Sequence, residues 1–456
     1  MCNGTIMDKL ISFSLPLMVS GILQLMFNAV DIIVVGRFSG SQALAAVGST
    51  TALINVFINL FMGISLGANV LAARYYAAGR DREMSETVHT SIMLALISGV
   101  VMAFVGVFFA KGALELMDTP ADVIDQSALY MRIYFMGMPF FMLYNYGAAI
   151  LRAVGDTKRP LYFLIVSGVI NAGLNMFLVI VFSLGVAGVA IATVVSQAIS
   201  CVLVLRCLYK SEGSYQLRFS KLCLKKDYII PIFQVGIPAG IQSTVINFSN
   251  VLLQSSVNSF GSIAMAGYTA ANNVLGFLYT SVNSVTQACM SFTSQNYGVG
   301  KYKRMDKVLI DCLILSSGIA LVMGGGAYLF GTEILQIYTG DPEVIRCGME
   351  ILSITTVPYF LCGIMDLFPG AARYGMLGGA DDSVRHRNGR NANRVDLRHF
   401  PAAPLAVCAV HFVSGIVDHH DYHAGDLLSD YAEESLQPGS SRIKKRKKTK
   451  SQKNRG

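Results

Sequence analysis

Tryptophan is absent from the 456 residues, and charged side chains make up only 14% of them. A soluble globular protein carries roughly 25% charged residues, so this chain lacks the polar surface that keeps a protein in water. Paired cysteines are missing as well. The nine Cys stand singly at Cys2, Cys201, Cys207, Cys223, Cys289, Cys312, Cys347, Cys362 and Cys408. An odd count without a CxxC pair excludes a disulfide framework and a zinc signature, and leaves small apolar core groups. No Gly-rich phosphate loop, nucleophile elbow or His/Cys/Glu cluster occurs in the body of the chain. Soluble enzyme, nucleic-acid binder and secreted disulfide scaffold all lose their basis.

What is abundant is apolar: 53% of the residues, gathered in long blocks. That is transmembrane spacing. Ten blocks read as membrane helices, at about 10–36, 46–72, 90–110, 127–151, 161–182, 185–207, 229–256, 263–289, 307–330 and 348–371. The first is too long, and too weak in its basic flank, for a cleaved signal peptide. Arg74, Arg80, Arg82, Arg152, Lys158, Arg159, Arg218, Lys225, Lys301 and Arg304 fall in alternate loops. The other loops hold Glu115, Asp118, Asp122, Asp125, Glu333, Asp341 and Glu343, with few bases. The positive-inside rule then predicts a multi-pass protein with its N-terminus in the cytoplasm.

Residues recur at an offset of 221–222: Pro16 and Pro238, Asn28 and Asn250, Phe38 and Phe260, Ala45 and Ala266. YYAAGRDREM from Tyr75 returns as NYGVGKYKRM from Asn296. Each copy covers six spans, an even number, so both copies share one orientation about an axis along the membrane normal. The expected fold is all-α and integral to the membrane, with two six-helix bundles and twelve spans, about ten of them intact. The expected division is 1–207 for the first bundle, 208–228 for a cytoplasmic linker and 229–373 for the second. A cavity between two such halves is where a transporter holds its substrate.

An ionisable residue inside a membrane helix costs a few kcal/mol on insertion scales, so it faces a cavity and acts there. Asp31 lies deep in the first span, in FNAVDIIVVG, and Asp366 in the tenth, in CGIMDLFPG. Asp311 lies near the end of the ninth and reads as interfacial. Asn171 and Asn175 (NAGLN) sit one turn apart on one face, as two side chains sharing a ligand would. The competing reading of that pair is helix–helix hydrogen bonding. Thr193 adds a third oxygen.

Four motifs resemble the multidrug and toxic compound extrusion transporters, in particular their NorM and DinF-like bacterial branch. They are LPLMVSGILQLMFNAVDIIVVGRFSGSQALAAVG, GAAILRAVGDTKRP, LGVAGVAIATVVSQ and FPGAAR, within a resemblance covering 8–373. The resemblance implies a cation-coupled exporter of organic, often cationic, drugs, working by alternating access in the bacterial plasma membrane. It implies no enzyme activity, no cofactor beyond Na+ or H+ as coupling ion, no nucleic-acid partner and a monomer within the lipid bilayer. The family's first-half cation site falls on Asp31, Asn171, Asn175 and Thr193. The second fifth-span position is often Asp in the family and is Asn175 here, which leaves one carboxylate and keeps both sodium and proton open. Asp366 matches a tenth-span acid and stands as a second cation or substrate contact, while the seventh span has no acid. A lipid-linked oligosaccharide flippase of the same superfamily is the alternative, disfavoured because the helix interiors carry almost no bases.

The repeat breaks down near Arg373. Where two further spans should stand, the chain reads DDSVRHRNGRNANRVDLRHF and IVDHHDYHAGD, and Ser441–Gly456 alone holds nine Lys or Arg. A reading frame shifted near Arg373 explains this. Each restored codon takes its middle base from the written wobble position, so DHHDYH at 418–423 becomes only Ile, Thr or Met. Residues 374–456 are then expected to be an out-of-frame, disordered tail, and the written product inactive.

Overall fold

The computed structural model describes residues 1–117, 119, 123–258, 262–356 and 358–367. The expectations for the tail at 374–456 and for Arg373 lie outside these. Lipid offers no hydrogen-bond partners to a backbone, so a spanning segment must satisfy its own polar groups. Helices are the outcome. They run α1 (Met7–Phe38), α2 (Gly40–Ala77), α3 (Asp81–Glu115), α4 (Ile124–Met136), α5 (Met138–Ala153), α6 (Lys158–Met176) and α7 (Gly185–Lys210). The second half repeats them as α8 (Lys226–Asn258), α9 (Ser262–Gly298), α10 (Tyr302–Leu329), the short α11 (Gly331–Gln336) and α12 (Pro342–Thr356), then α13 (Tyr359–Leu367). No strand occurs among the described residues.

Seven of these helices are long and apolar enough to cross a membrane, and the bent pair α12–α13 adds an eighth. The fourth expected span falls short because it is two helices of 13 and 16 residues. The eighth falls short because α9 is polar inside: Ser281, Ser284, Ser291, Thr293 and Gln295 are all buried on it. Ser281 and Ser284 return their hydroxyl protons to Phe277 O and Thr280 O of their own helix. Hydroxyls satisfied in this way are tolerated in lipid.

The repeat is visible in how helices end and bend. Gly79 and Gly300 both adopt left-handed backbone, φ 67° and 73°, which glycine does without a Cβ penalty. Arg80 N then donates to Tyr75 O at 3.1 Å, and Lys301 N to Asn296 O at 2.9 Å, closing α2 and α9 alike. The span expected at 127–151 breaks at Gly137, just before Pro139, which has no N–H to give the preceding turn. Its repeat mate bends by 48° between α12 and α13, beside Pro358. A glycine on the neighbouring helix makes room for each: a Cβ on Gly99 would sit 2.5 Å from Pro139 Cα, and one on Gly324 would sit 2.8 Å from Thr356 O.

Small residues join the halves, as van der Waals contact in lipid requires. A Cβ on Gly63 of α2 would lie 2.3 Å from Gly240 N and 2.6 Å from Gly236 O of α8, and one on Gly67 would lie 2.2 Å from Ile232 O. On the opposite side α1 meets α9, where a Cβ on Gly21 would lie 2.1 Å from Thr280 Cγ2. Between them, Ser291 Oγ of α9 donates to Asn69 Oδ1 of α2 at 3.2 Å. Asn69 and Ser291 are repeat mates, so their contact marks the axis. Asn69 Nδ2 donates to Ala149 O at 2.7 Å, and Gln295 Nε2 to Ala153 O at 2.6 Å. Arg74 lies over the Tyr297 ring, 4.9 Å from its centroid. The halves are thus sealed towards the end that carries the basic loops. Replacing Gly63 with Leu drives a side chain into the α8 backbone, and overpacking costs ~1–3 kcal/mol. Purified Gly63→Leu protein should melt several degrees below wild type; an unchanged melting temperature would show that α2 and α8 are not in contact.

Candidate functional site

The first-half site begins with a glycine. Gly168 of α6 has no side chain, and a Cβ there would lie 1.9 Å from the Phe27 ring of α1. Phe27 therefore seats against the α6 backbone and fixes the register of the two helices. Asp31 lies one turn beyond Phe27, and Asn171 and Asn175 lie one and two turns beyond Gly168, on the same facing stripes. The carboxylate is thereby brought to the amides. Asn175 Nδ2 donates to Asp31 Oδ1 and to Asn171 Oδ1 at 3.4 Å. Both asparagines are buried, Asn175 completely, while Asp31 is half-buried.

Immediately after this pair the helix widens into a π-turn, Phe177–Val181. Such turns often accompany functional positions. Its presence next to Asn175 was not expected from the sequence.

Two tyrosines of α4 complete one wall. Tyr130 and Tyr134 stack with ring centroids 6.0 Å apart, and both lie within electrostatic range of Asp31. Gln197 of α7 reaches the end of α4 beside them. Gln197 Oε1 has no hydrogen-bond partner and abuts the break at Gly137, where an added Cβ would lie 3.2 Å away. Asn175 Oδ1 is likewise buried and without a partner. Both are among twelve buried side-chain atoms without a partner among the described residues. Asp31 with the amide oxygens of Asn171 and Asn175 is a set that an oxygen-seeking cation fits.

Of the expected residues, Asp31, Asn171 and Asn175 come together. Thr193 does not join them by a hydrogen bond: its hydroxyl donates to Val189 O of its own helix at 3.0 Å. It stands one turn before Gln197, on the same face of α7. Asp366 belongs to the other half, on α13, within electrostatic range of Tyr279 and Tyr359. One turn beyond Tyr279, Asn283 Oδ1 accepts from Gln287 Nε2 at 2.9 Å. Among the described residues no group of three His, Cys, Asp or Glu forms a metal cluster. The sequence reading passed over Gln197, Tyr130 and Tyr134. The one available signal was the spacing of Thr193 and Gln197 in ATVVSQ, which repeats the one-turn spacing of NAGLN.

Known proteins fit this arrangement. The MatE family matches residues 16–177 and again 238–374. The probable multidrug resistance protein YoeA of Bacillus subtilis (strain 168) is 33% identical over 370 residues, covering 79% of this chain and 80% of its own. The multidrug export protein MepA of Staphylococcus aureus (strain NCTC 8325 / PS 47) is 22% identical, covering 81% of each. Among solved structures, an outward-facing multidrug resistance MATE family transporter of the MOP superfamily superposes with a TM-score of 0.76 at 20% identity. That match covers 81% of this chain and 84% of the other, and at that identity it shows a shared fold.

A hydrogen bond to a charged group contributes about 1.5–3 kcal/mol, against about 2.5–3.5 kcal/mol for placing a charge in the middle of the bilayer. Asn175 thus offsets most of the cost of keeping Asp31 there. Asn175→Leu should lower the melting temperature of the purified protein by several degrees in low salt. Melting identical to wild type would show that the pair does not form.

Proposed function

This chain belongs to the MatE family, and on that premise we propose that it exports organic, often cationic, compounds in exchange for an inward-moving cation. The observation that carries the proposal is Asp31, an acid inside an apolar helix, held by Asn175 and flanked by Asn171. A cation entering this site neutralises the carboxylate and draws α1 and α6 onto it. Its departure leaves a charge that must be stabilised by Asn175 and water instead. Two such conditions favour different packings of the same helices, and a ligand shifts an equilibrium only through such a difference.

The seal at the basic end supports an outward-open arrangement, given that the basic loops are cytoplasmic. Asn69–Ser291, Gln295–Ala153 and the Arg74–Tyr297 stack are the contacts that inward opening has to break. The host membrane is the bacterial plasma membrane, the acting unit a single chain, and the process transport without chemistry on the substrate. Asp366, with Tyr279 and Tyr359, is a second contact for cation or substrate in the other half. Tyrosine faces suit flat cations.

The frame shift near Arg373 is part of the same proposal. The family match runs to residue 177 in the first half but stops at 374 in the second, short of the repeat mate of that end. Where the repeat calls for two further spans, the sequence as written holds too many charges to supply them, and the alternation between states needs both bundles.

Two outcomes are expected. In cells making a frame-restored protein, Asp31→Asn should abolish cation-driven efflux of a fluorescent organic cation, and full efflux at equal expression would sink the coupling assignment. The chain as written should export at background level, and restoring the frame should recover efflux. Equal efflux by both forms would count against the shift.

A further inference from the structure

The segments that lead into α1 and α8 stand at the repeat offset of 222, and each crosses to the other half. Residues 1–6 enter the first half but are held by the second. Lys301 Nζ donates to Cys2 O at 2.9 Å and to Asn3 Oδ1 at 2.7 Å, and Arg304 donates to Gly4 O at 2.8 Å. Ile6 is buried in a cluster with Phe292 of α9 and Val308 of α10. Residues 223–228 enter the second half but are held by the first. Lys225 Nζ lies 2.6 Å from Glu86 Oε1 of α3, and the Tyr228 hydroxyl donates to Glu86 Oε2 at 2.7 Å. Tyr228 is the repeat mate of Ile6 and is likewise buried, edge to face with Tyr75 of α2 at 6.0 Å between centroids. Cys2 Sγ lies 4.0 Å from Gln295 Oε1, on the side chain whose nitrogen reaches Ala153 O. The first segment thus lies over a contact that closes the two halves.

The charges of the two copies account for the exchange. Arg80 and Glu83 pair with each other at 2.6 Å on the turn that opens α3. Their mates are Lys301 and Arg304, two bases where the first copy has a base and an acid. Like charges one turn apart repel, and both bases turn to main-chain carbonyls of the incoming segment. Glu86 is the converse. Its mate is Lys307, a base where the first copy has this acid, and the incoming Lys225 takes the acid. We propose that these segments are a reciprocal pair of straps that hold the halves together at the end carrying the basic loops, and that both must let go before that end opens. The inference rests on the alternating-access reading above. The hydrogen bonds of the first strap are exposed, and salt screens exposed charges, so it loosens as ionic strength rises.

The test is the distance between nitroxides on ketone-bearing amino acids placed at positions 158 and 307, an exposed site in each half at that end, read by double electron–electron resonance. The purified full chain and its frame-restored form are measured in parallel, with melting temperature recorded for every variant. Arg304→Glu gives the second copy the pairing of the first, and it should raise the long-distance fraction by roughly two- to fivefold, the scale of one exposed ion pair. Glu86→Gln should do the same from the other half, and high salt should do so in wild type. Lys301→Ala, which adds no charge, should shift the distances in the same direction, and it decides the matter if Arg304→Glu melts early. Wild-type distances in Arg304→Glu, Lys301→Ala and Glu86→Gln would overturn the inference, and a shift in the variants of one half only would overturn the reciprocity. Shifted distances without cation-driven efflux by the frame-restored wild type would leave the straps standing and remove the transport reading.

Discussion

A carboxylate can persist inside an apolar helix only where another helix brings it hydrogen-bond donors, and the first half of this protein is arranged around that demand. Gly168 provides the approach, Phe27 fills it, and Asp31 is delivered to Asn175 one turn further on. Remove the glycine and the register fails before any polar group is altered. Packing therefore decides the electrostatics here, and not the reverse. The π-turn after Met176 and the break at Gly137 fall on two helices that line the site, so its walls are interrupted helices with room to adjust.

The halves are joined by a different means. Glycine against backbone between α2 and α8, and between α1 and α9, lets helices touch without large side chains to interlock. Contacts of this sort depend on van der Waals packing at close approach. The polar contacts cluster near the axis, where repeat mates Asn69 and Ser291 meet, and towards the basic end. An interface made by repeat mates is nearly symmetric, but the chemistry on either side of it is not. Asp31 has no acidic counterpart, its repeat position being Leu253, and Asp366 has only the neutral Asn145, whose Nδ2 donates to Phe141 O of its own helix. The frame is duplicated while the Asp31–Asn175 pair has no counterpart among the described residues.

The apolar blocks, the charge asymmetry of the loops and the repeat of about 222 residues were determined by the sequence alone, because lipid imposes length and composition on any segment that crosses it. Asp31 and the NAGLN pair were legible for the same reason: a charge in an apolar run stands out, and one-turn spacing is a property of any helix. The tertiary structure decided the rest. It split the expected fourth span at Gly137, where a glycine and a nearby proline inside an apolar block gave no clear sign of a break. It turned Thr193 towards its own helix and placed Gln197 beside the break instead. A lone glutamine in a membrane helix has the same sequence signature whether it glues two helices or offers an oxygen to an ion. Only the position of its neighbours separates the two, and here the gap at Gly137 leaves its oxygen without a partner.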